Sequence, residues 1–205
     1  MKKKPHFYAH RVNTIEQLKN TPTKYGVEID LRDWGDQIIL EHDPFINGED
    51  FKDWLKHYHH SGLILNIKSE RIEYKILRML EEANVSDFFF LDSSFPVIFA
   101  LTSQNEKRIA VRFSEFECIE TVLALKDKVD WVWVDCLNKF PLNREIYNQF
   151  RKSNFKLCLV SPDLLGRKED IVSYEKIIDE YEISFDAICC KLENVEKWRE
   201  SQLGK

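Results

Sequence analysis

The chain has 205 residues, enough to bury a full hydrophobic core within one domain of ordinary size. Hydrophobic residues make up 43% and charged residues 32%, which excludes a disordered chain and leaves a globular one. A net charge of −5 excludes nucleic-acid binding by bulk electrostatics, so an anionic ligand would need a local cationic pocket.

In chain order, the sequence predicts a strand at His6–His10 that ends in His10-Arg11, then a helix over Thr14–Thr21. A strand at Val27–Leu31 carries Glu28-x-Asp30, and a strand at Gln37–His42 ends in His42-Asp43. A helix over Asp50–Tyr58 follows, then the strand Leu63–Lys68, the helix Glu70–Ala83 and the strands Phe88–Asp92 and Arg108–Phe113. The remainder alternates: helix Phe116–Lys126, strand Trp131–Asp135, helix Arg144–Lys152, strand Phe155–Val160, helix Asp170–Tyr181, strand Asp186–Cys190 and helix Val195–Gln202. Near-continuous apolar strands alternating with amphipathic helices indicate a parallel sheet covered by helices. No linker or Gly/Pro-rich break divides residues 1–205, so one domain is expected.

Nine strands exceed the eight of a (β/α)₈ barrel, and one junction accounts for the excess. Only Arg32-Asp33-Trp34-Gly35-Asp36 separates the second strand from the third, too few residues for a parallel crossover. These two strands must form an antiparallel hairpin turning near Gly35, which is expected to return His42 opposite Glu28. The other eight can close a barrel, so the expected fold is an α/β, (β/α)₈ TIM barrel with an extra β-hairpin arm after strand 2.

Glu28 and Asp30 stand two apart on a strand and leave the same face. Their neighbours Val27, Ile29 and Leu31 are apolar and suit the helix-covered side, so the carboxylates are expected to point into the barrel. Two buried negative charges are costly, and a bound cation removes that cost. Carboxylate oxygens are hard ligands that select Mg²⁺, Ca²⁺ or Mn²⁺. Asn66 precedes Lys68 by two positions and shares its face; its amide oxygen could coordinate, while Lys68 could hold a phosphate oxygen. Arg11 is a second phosphate candidate. Histidine is the side chain whose ordinary proton exchange falls near neutrality, so His10 and His42 could supply the acid and the base that cleavage of a phosphodiester requires.

The order His10-Arg11, Glu28-x-Asp30, His42-Asp43 and Lys68 resembles the glycerophosphodiester phosphodiesterase family. Asn13-Thr14 resembles the end of that family's Glu-Asn-Thr motif, with Val12 in place of the glutamate, and Ser93-Ser94-Phe95 resembles a Ser-Ser-Phe segment. The resemblance implies catalytic histidines at His10 and His42, a divalent cation on Glu28 and Asp30, and a small-molecule phosphodiester substrate. It also implies a departure, because the family usually has Glu-x-Lys where this chain has Asn66-Ile67-Lys68. The third metal ligand is then uncharged, and weaker metal binding is expected. A cap-forming insertion that commonly follows the family's His-Asp motif is missing after Asp43, so the site should be open. Two alternatives stay open: a lyase-like relative, similar to sphingomyelinase D or phosphatidylinositol phospholipase C, that forms a cyclic phosphate, and a non-catalytic phospho-ligand-binding barrel.

Arg112 and Lys191 end later strands and are further phosphate candidates, which would suit a substrate with a second anionic group. His57-Tyr58-His59-His60 reads as the last turn of a helix, and Trp131 and Trp133 as core aromatics that share a face with Asp135. Cys118, Cys136, Cys158, Cys189 and Cys190 form no C-x-x-C pair, as expected of reduced thiols in a cytoplasmic protein. After Met1-Lys2-Lys3-Lys4 no signal-peptide core follows, and no apolar run is long enough to span a membrane.

Overall fold

The computed structural model describes residues 4–198; Met1–Lys3, and the helix expected over Val195–Gln202 beyond Trp198, lie outside the described residues. Runs rich in β-branched and aromatic side chains form the strands, and the stretches between them form helices. In chain order the elements are β1 (His6–Ala9), α1 (Ile15–Asn20), β2 (Gly26–Trp34), β3 (Gln37–Leu40), β4 (Glu49–Asp50), α2 (Phe51–Leu55), β5 (Leu63–Ile67), α3 (Glu73–Glu82) and β6 (Phe88–Leu91). Then come α4 (Phe95–Thr102), β7 (Ala110–Phe113), α5 (Ile119–Leu123), β8 (Trp131–Val134), α6 (Arg144–Lys152), β9 (Lys156–Val160), α7 (Asp170–Glu180) and β10 (Ala187–Cys190).

Two compact units are distinguished, Tyr8–Ile109 and the remainder. In the first, β2 pairs in parallel with the end of β1 (Tyr8 with Gly26) and with β5 (Asp30 with Asn66). β5 pairs in parallel with β6, and a parallel bridge joins Phe90 to Ile109. On its other side β2 runs into the antiparallel hairpin with β3, which in turn pairs with β4. In the second unit β7, β8, β9 and β10 pair in parallel in that order, and His6 donates its N–H to the Asp186 carbonyl at 2.9 Å. Strand residues such as Val27, Ile29, Leu63 and Leu65 are fully buried, as parallel strands covered by helices require.

The hairpin forms where the short junction requires it, in a register one residue from the expected one. Trp34 pairs with Gln37 and Leu31 with Leu40, so the loop is Gly35-Asp36, with Gly35 at φ 59. A two-residue turn with positive φ at its first position matches the twist of the strands and fixes that register. β3 ends at Leu40, one further hydrogen bond runs from the Glu41 N–H to the Asp30 carbonyl at 3.1 Å, and in this register His42 does not stand opposite Glu28.

Three further differences have local causes. The helix α4 is almost wholly apolar and has no helical period, so only Ser94 and Pro96 mark its start. The two-residue strand β4 is too short to leave a pattern. Helix α2 ends at Leu55, so His57–His60 are not its last turn; the His60 ring instead meets the Thr21 carbonyl at 2.9 Å and stacks near Tyr58. Trp133 is buried as expected, Trp131 has Lys156 Nζ 5.3 Å from its ring centroid, and all five cysteines are free, four of them buried.

Candidate active site

Every residue of the candidate site belongs to the unit Tyr8–Ile109. β2 supplies Glu28 and Asp30, and both carboxylates are buried on its inner face. Two residues earlier on that face, Gly26 lies against the Tyr8 ring so closely that a Cβ there would overlap it, and Gly62 meets the same ring. The floor below Glu28 is therefore an aromatic ring packed on two glycines.

Glu28 is held from three sides. The backbone N–H of Arg11 donates to Oε2 at 2.7 Å, Asn66 Nδ2 donates to Oε1 at 3.0 Å, and His10 Nε2 lies 3.8 Å from Oε2. The contact with Arg11 needs a left-handed backbone there, at φ 56, which turns the chain out of β1 and aims the amide at the carboxylate. Burial pushes the Glu28 carboxyl up to about 7, and the Asp30 charge adds to the shift; the bonds from Asn66 and Arg11 and the Lys68 charge oppose it.

Asp30 has a different set of partners. Asn13 grips it twice, Nδ2 donating to Oδ2 at 2.9 Å and Oδ1 accepting the Asp30 N–H at 2.9 Å. Arg11 Nε lies 3.5 Å from Oδ2, and Lys68 Nζ lies 3.5 Å from Oδ1. Lys68 also lies 3.8 Å from Asp92 Oδ2, at the end of β6. Position Asp92 is left-handed, at φ 60.

His42 is half-exposed, and its Nδ1 is 2.7 Å from Asp43 Oδ1. That hydrogen bond, the largest cause, and the charges of His42, Arg11 and Arg32 hold the Asp43 carboxyl below its usual range. An ionised carboxylate only accepts, so Nδ1 carries the proton and Nε2 is left to exchange one. Arg32 fixes the loop by donating to the His42 carbonyl at 2.9 Å and to the Lys68 carbonyl at 3.2 Å.

Three buried polar atoms here accept or donate no hydrogen bond: Asp30 Oδ1, Asn66 Oδ1 and Ser93 Oγ. They lie on β2 and β5 and just past the end of β6, strands that are neighbours in the sheet. Buried oxygens without partners are rare and costly, and two of these are hard donors in facing register. Together with the Glu28 carboxylate, Asp30 and Asn66 offer two carboxylates and one amide, a hard-oxygen set that fits a divalent cation of the Mg²⁺ or Ca²⁺ type. Among the described residues no group of three or more His, Cys, Asp or Glu side chains could hold a metal ion.

The fold thus gathers His10, Arg11, Glu28, Asp30, Asn66 and Lys68, with the His42 backbone tied to that of Lys68 through Arg32. Arg112 and Lys191 belong to the other unit. There the Arg112 guanidinium bonds Asp135, and the Lys191 N–H donates to Asp163 at 3.0 Å. Asn13, Arg32, Asp43, Asp92 and Ser93 join the site without having been read as site residues. Of these, Asn13, Asp43 and Ser93 lie within recognised motifs, Asp92 directly precedes the Ser-Ser-Phe segment at the end of a predicted strand, and Arg32 leaves no local signal.

No family model and no curated protein sequence matches the chain. Two solved structures resemble it over nearly its whole length. A glycerophosphoryl diester phosphodiesterase from Parabacteroides distasonis superposes with a TM-score of 0.71 at 14% identity, covering 98% of this chain and 88% of its own. A glycerophosphodiester phosphodiesterase from Agrobacterium tumefaciens gives 0.68 at 14% identity, covering 96% and 99%. Likeness at this identity speaks for the fold, and the fold is the (β/α)₈ barrel expected from the sequence, with its added hairpin.

Proposed function

We propose that the chain is a short member of the glycerophosphodiester phosphodiesterase family, a single domain over residues 1–205 that hydrolyses a small-molecule phosphodiester with a divalent cation. The observation that carries this reading is the pair of buried oxygens that accept no hydrogen bond, Asp30 Oδ1 and Asn66 Oδ1, beside Glu28, His10, Arg11 and Lys68.

A bound Mg²⁺, Ca²⁺ or Mn²⁺ would polarise a phosphoryl oxygen and offset negative charge. Glu28, Asp30 and Asn66 would hold it, with Asn13 fixing the Asp30 carboxylate. Arg11 and Lys68 would bind the remaining phosphate oxygens; both now rest on Asp30, which a cation would take over. His42 has the arrangement of a proton acceptor, because Asp43 fixes its tautomer and stabilises the imidazolium that forms. His10, beside Glu28, would protonate the departing alcohol. General acid–base catalysis of this kind contributes roughly 10²–10⁴-fold.

Whether the substrate carries a second anionic group, as expected from Arg112 and Lys191 in the sequence, is tested by comparing kcat/KM for singly and doubly charged diesters in wild type, Arg112→Ala and Lys191→Ala. The net charge of −5 speaks against nucleic acid as substrate. No helix among the described residues is long and apolar enough to cross a membrane, and five free cysteines favour a cytoplasmic setting.

The deciding experiment follows glycerophosphocholine and a doubly charged diester by phosphorus NMR with Mg²⁺, Ca²⁺, Mn²⁺ or chelator. Metal-dependent release of a phosphomonoester supports hydrolysis, and a cyclic phosphate selects the lyase-like reading. Binding without turnover under every metal selects a non-catalytic phospho-ligand-binding barrel, the reading that Asn66 and Val12 favour.

A further inference from the structure

Lys68, just past the end of β5, lies between carboxylates on the two strands that flank β5: Asp30 on β2 and Asp92 just past β6. Its Nζ is 3.5 Å from Asp30 Oδ1 and 3.8 Å from Asp92 Oδ2, and the side chain as a whole is 17% exposed. Asp30 Oδ1 is the same atom that accepts no hydrogen bond and that the cation site needs. A lysine and a divalent cation compete for one oxygen, and like charges cannot share it closely. With Asn66 in place of a carboxylate, the site has little charge to spare for that competition.

We propose that Asp92 is a positioning residue for the cation site: it gives Lys68 a second anchor, so that the ammonium can leave Asp30 when a divalent cation binds. This rests on the reading of Glu28, Asp30 and Asn66 as the cation site, not on hydrolysis itself. The geometry is specific. β5 and β6 pair with Asn66 beside Leu91, so Asp92 is the first residue past the register partner of Asn66. On a continuing strand its side chain would point to the opposite face from Asn66. The left-handed backbone at Asp92, φ 60, ends the strand and accompanies the turn of its carboxylate toward Lys68. Asp tolerates that conformation better than most residues, although it is not without strain. The negative charge absent at Asn66 is thus present one strand position further on, where it acts through Lys68.

The alternative is that Asp92 is simply one more negative charge near the site. A double-mutant cycle separates the two. Mg²⁺ and Mn²⁺ affinities are measured by calorimetry on the whole chain as wild type, Asp92→Asn, Lys68→Met and the double variant, with thermal melts to establish that each is folded. Asp92→Asn is expected to weaken binding about twofold to fivefold, the upper part of the range for a part-exposed ion pair. In the Lys68→Met background the same substitution should change affinity less than twofold, because no ammonium remains to be held. Asp92→Glu should restore much of the loss.

Equal losses in both backgrounds overturn the proposal, since Asp92 would then act without Lys68. Unchanged affinity in Asp92→Asn overturns it as well, as does a wild type that binds neither metal. Should Asp92→Asn not fold, the proposal stands or falls on Asp92→Ser and Asp92→Glu in the same cycle. Metal binding with the expected coupling but no turnover would count against the proposed hydrolysis alone.

Discussion

Asn66 donates a 3.0 Å hydrogen bond to Glu28 while its own carbonyl oxygen, buried, accepts none. One amide thereby steadies a carboxylate and offers an unused hard donor beside Asp30. A carboxylate at this position could supply the donor but not the hydrogen bond, so the choice of Asn66 favours the metal-free fold over tight metal binding.

Asn66→Asp, which keeps the size of the side chain, should accordingly have opposite effects in the two states. Without metal, a third buried carboxylate loses the bond to Glu28 and lowers stability by about 1–3 kcal/mol. With Mg²⁺ the added charge should tighten binding about tenfold or more. Thermal melts with and without metal, together with calorimetry, measure both effects; a variant that binds Mg²⁺ no more tightly would remove position 66 from the ligand set.

The pH dependence of the metal-free protein should carry the signature of Glu28. Its carboxyl titrates at about 7 in the fold against 4.5 when unperturbed, so the folded chain keeps a proton that the unfolded chain has already released. The resulting stabilisation is complete below about pH 4.5 and is lost as pH rises through 7, at most about 3 kcal/mol. A divalent cation binds the ionised form, so the rise in Tm on adding Mg²⁺ should be larger at about pH 8 than at about pH 5.5. Glu28→Gln should flatten the metal-free profile and abolish the effect of Mg²⁺.

His10→Ala and His42→Ala should each lower kcat by at least ~10²-fold with little change in Tm. Both rings are partly exposed and neither fills the core, so their loss leaves no cavity. Asp43→Asn should lower kcat through His42 while leaving metal affinity intact. Full activity in either histidine variant would remove that residue from the chemistry.

Asn13→Leu deletes both hydrogen bonds to Asp30 and leaves the Asp30 N–H without its partner. A loss of about 1–3 kcal/mol in stability and weaker Mg²⁺ binding are expected, read by urea denaturation and calorimetry. Unchanged values in both would mean that Asp30 is held by Arg11 and Lys68 alone.

What the sequence reveals of this site follows from period and distance. Glu28 and Asp30 are legible because a strand repeats every two residues, and the hairpin because five residues cannot cross a sheet. The register of that hairpin depends on whether Gly35 is the centre of the turn or its first residue, a difference of backbone angle that composition does not record. Asp92 is illegible for a related reason: its carboxylate reaches Lys68 past a left-handed residue, against the alternation that makes strands readable. Arg32 works through two backbone carbonyls, and a bond to backbone constrains no partner side chain. The apolar helix α4 has no period to detect.

Tyr8, packed on Gly26 and Gly62, fixes the direction of traffic. With the volume under Glu28 filled by a ring, an ion or proton reaching the carboxylates in the proposed reaction would come from the strand-end side, past His10, Arg11 and Lys68. A departing alcohol would leave by the same side. A small residue in place of Tyr8 would open a second route from below.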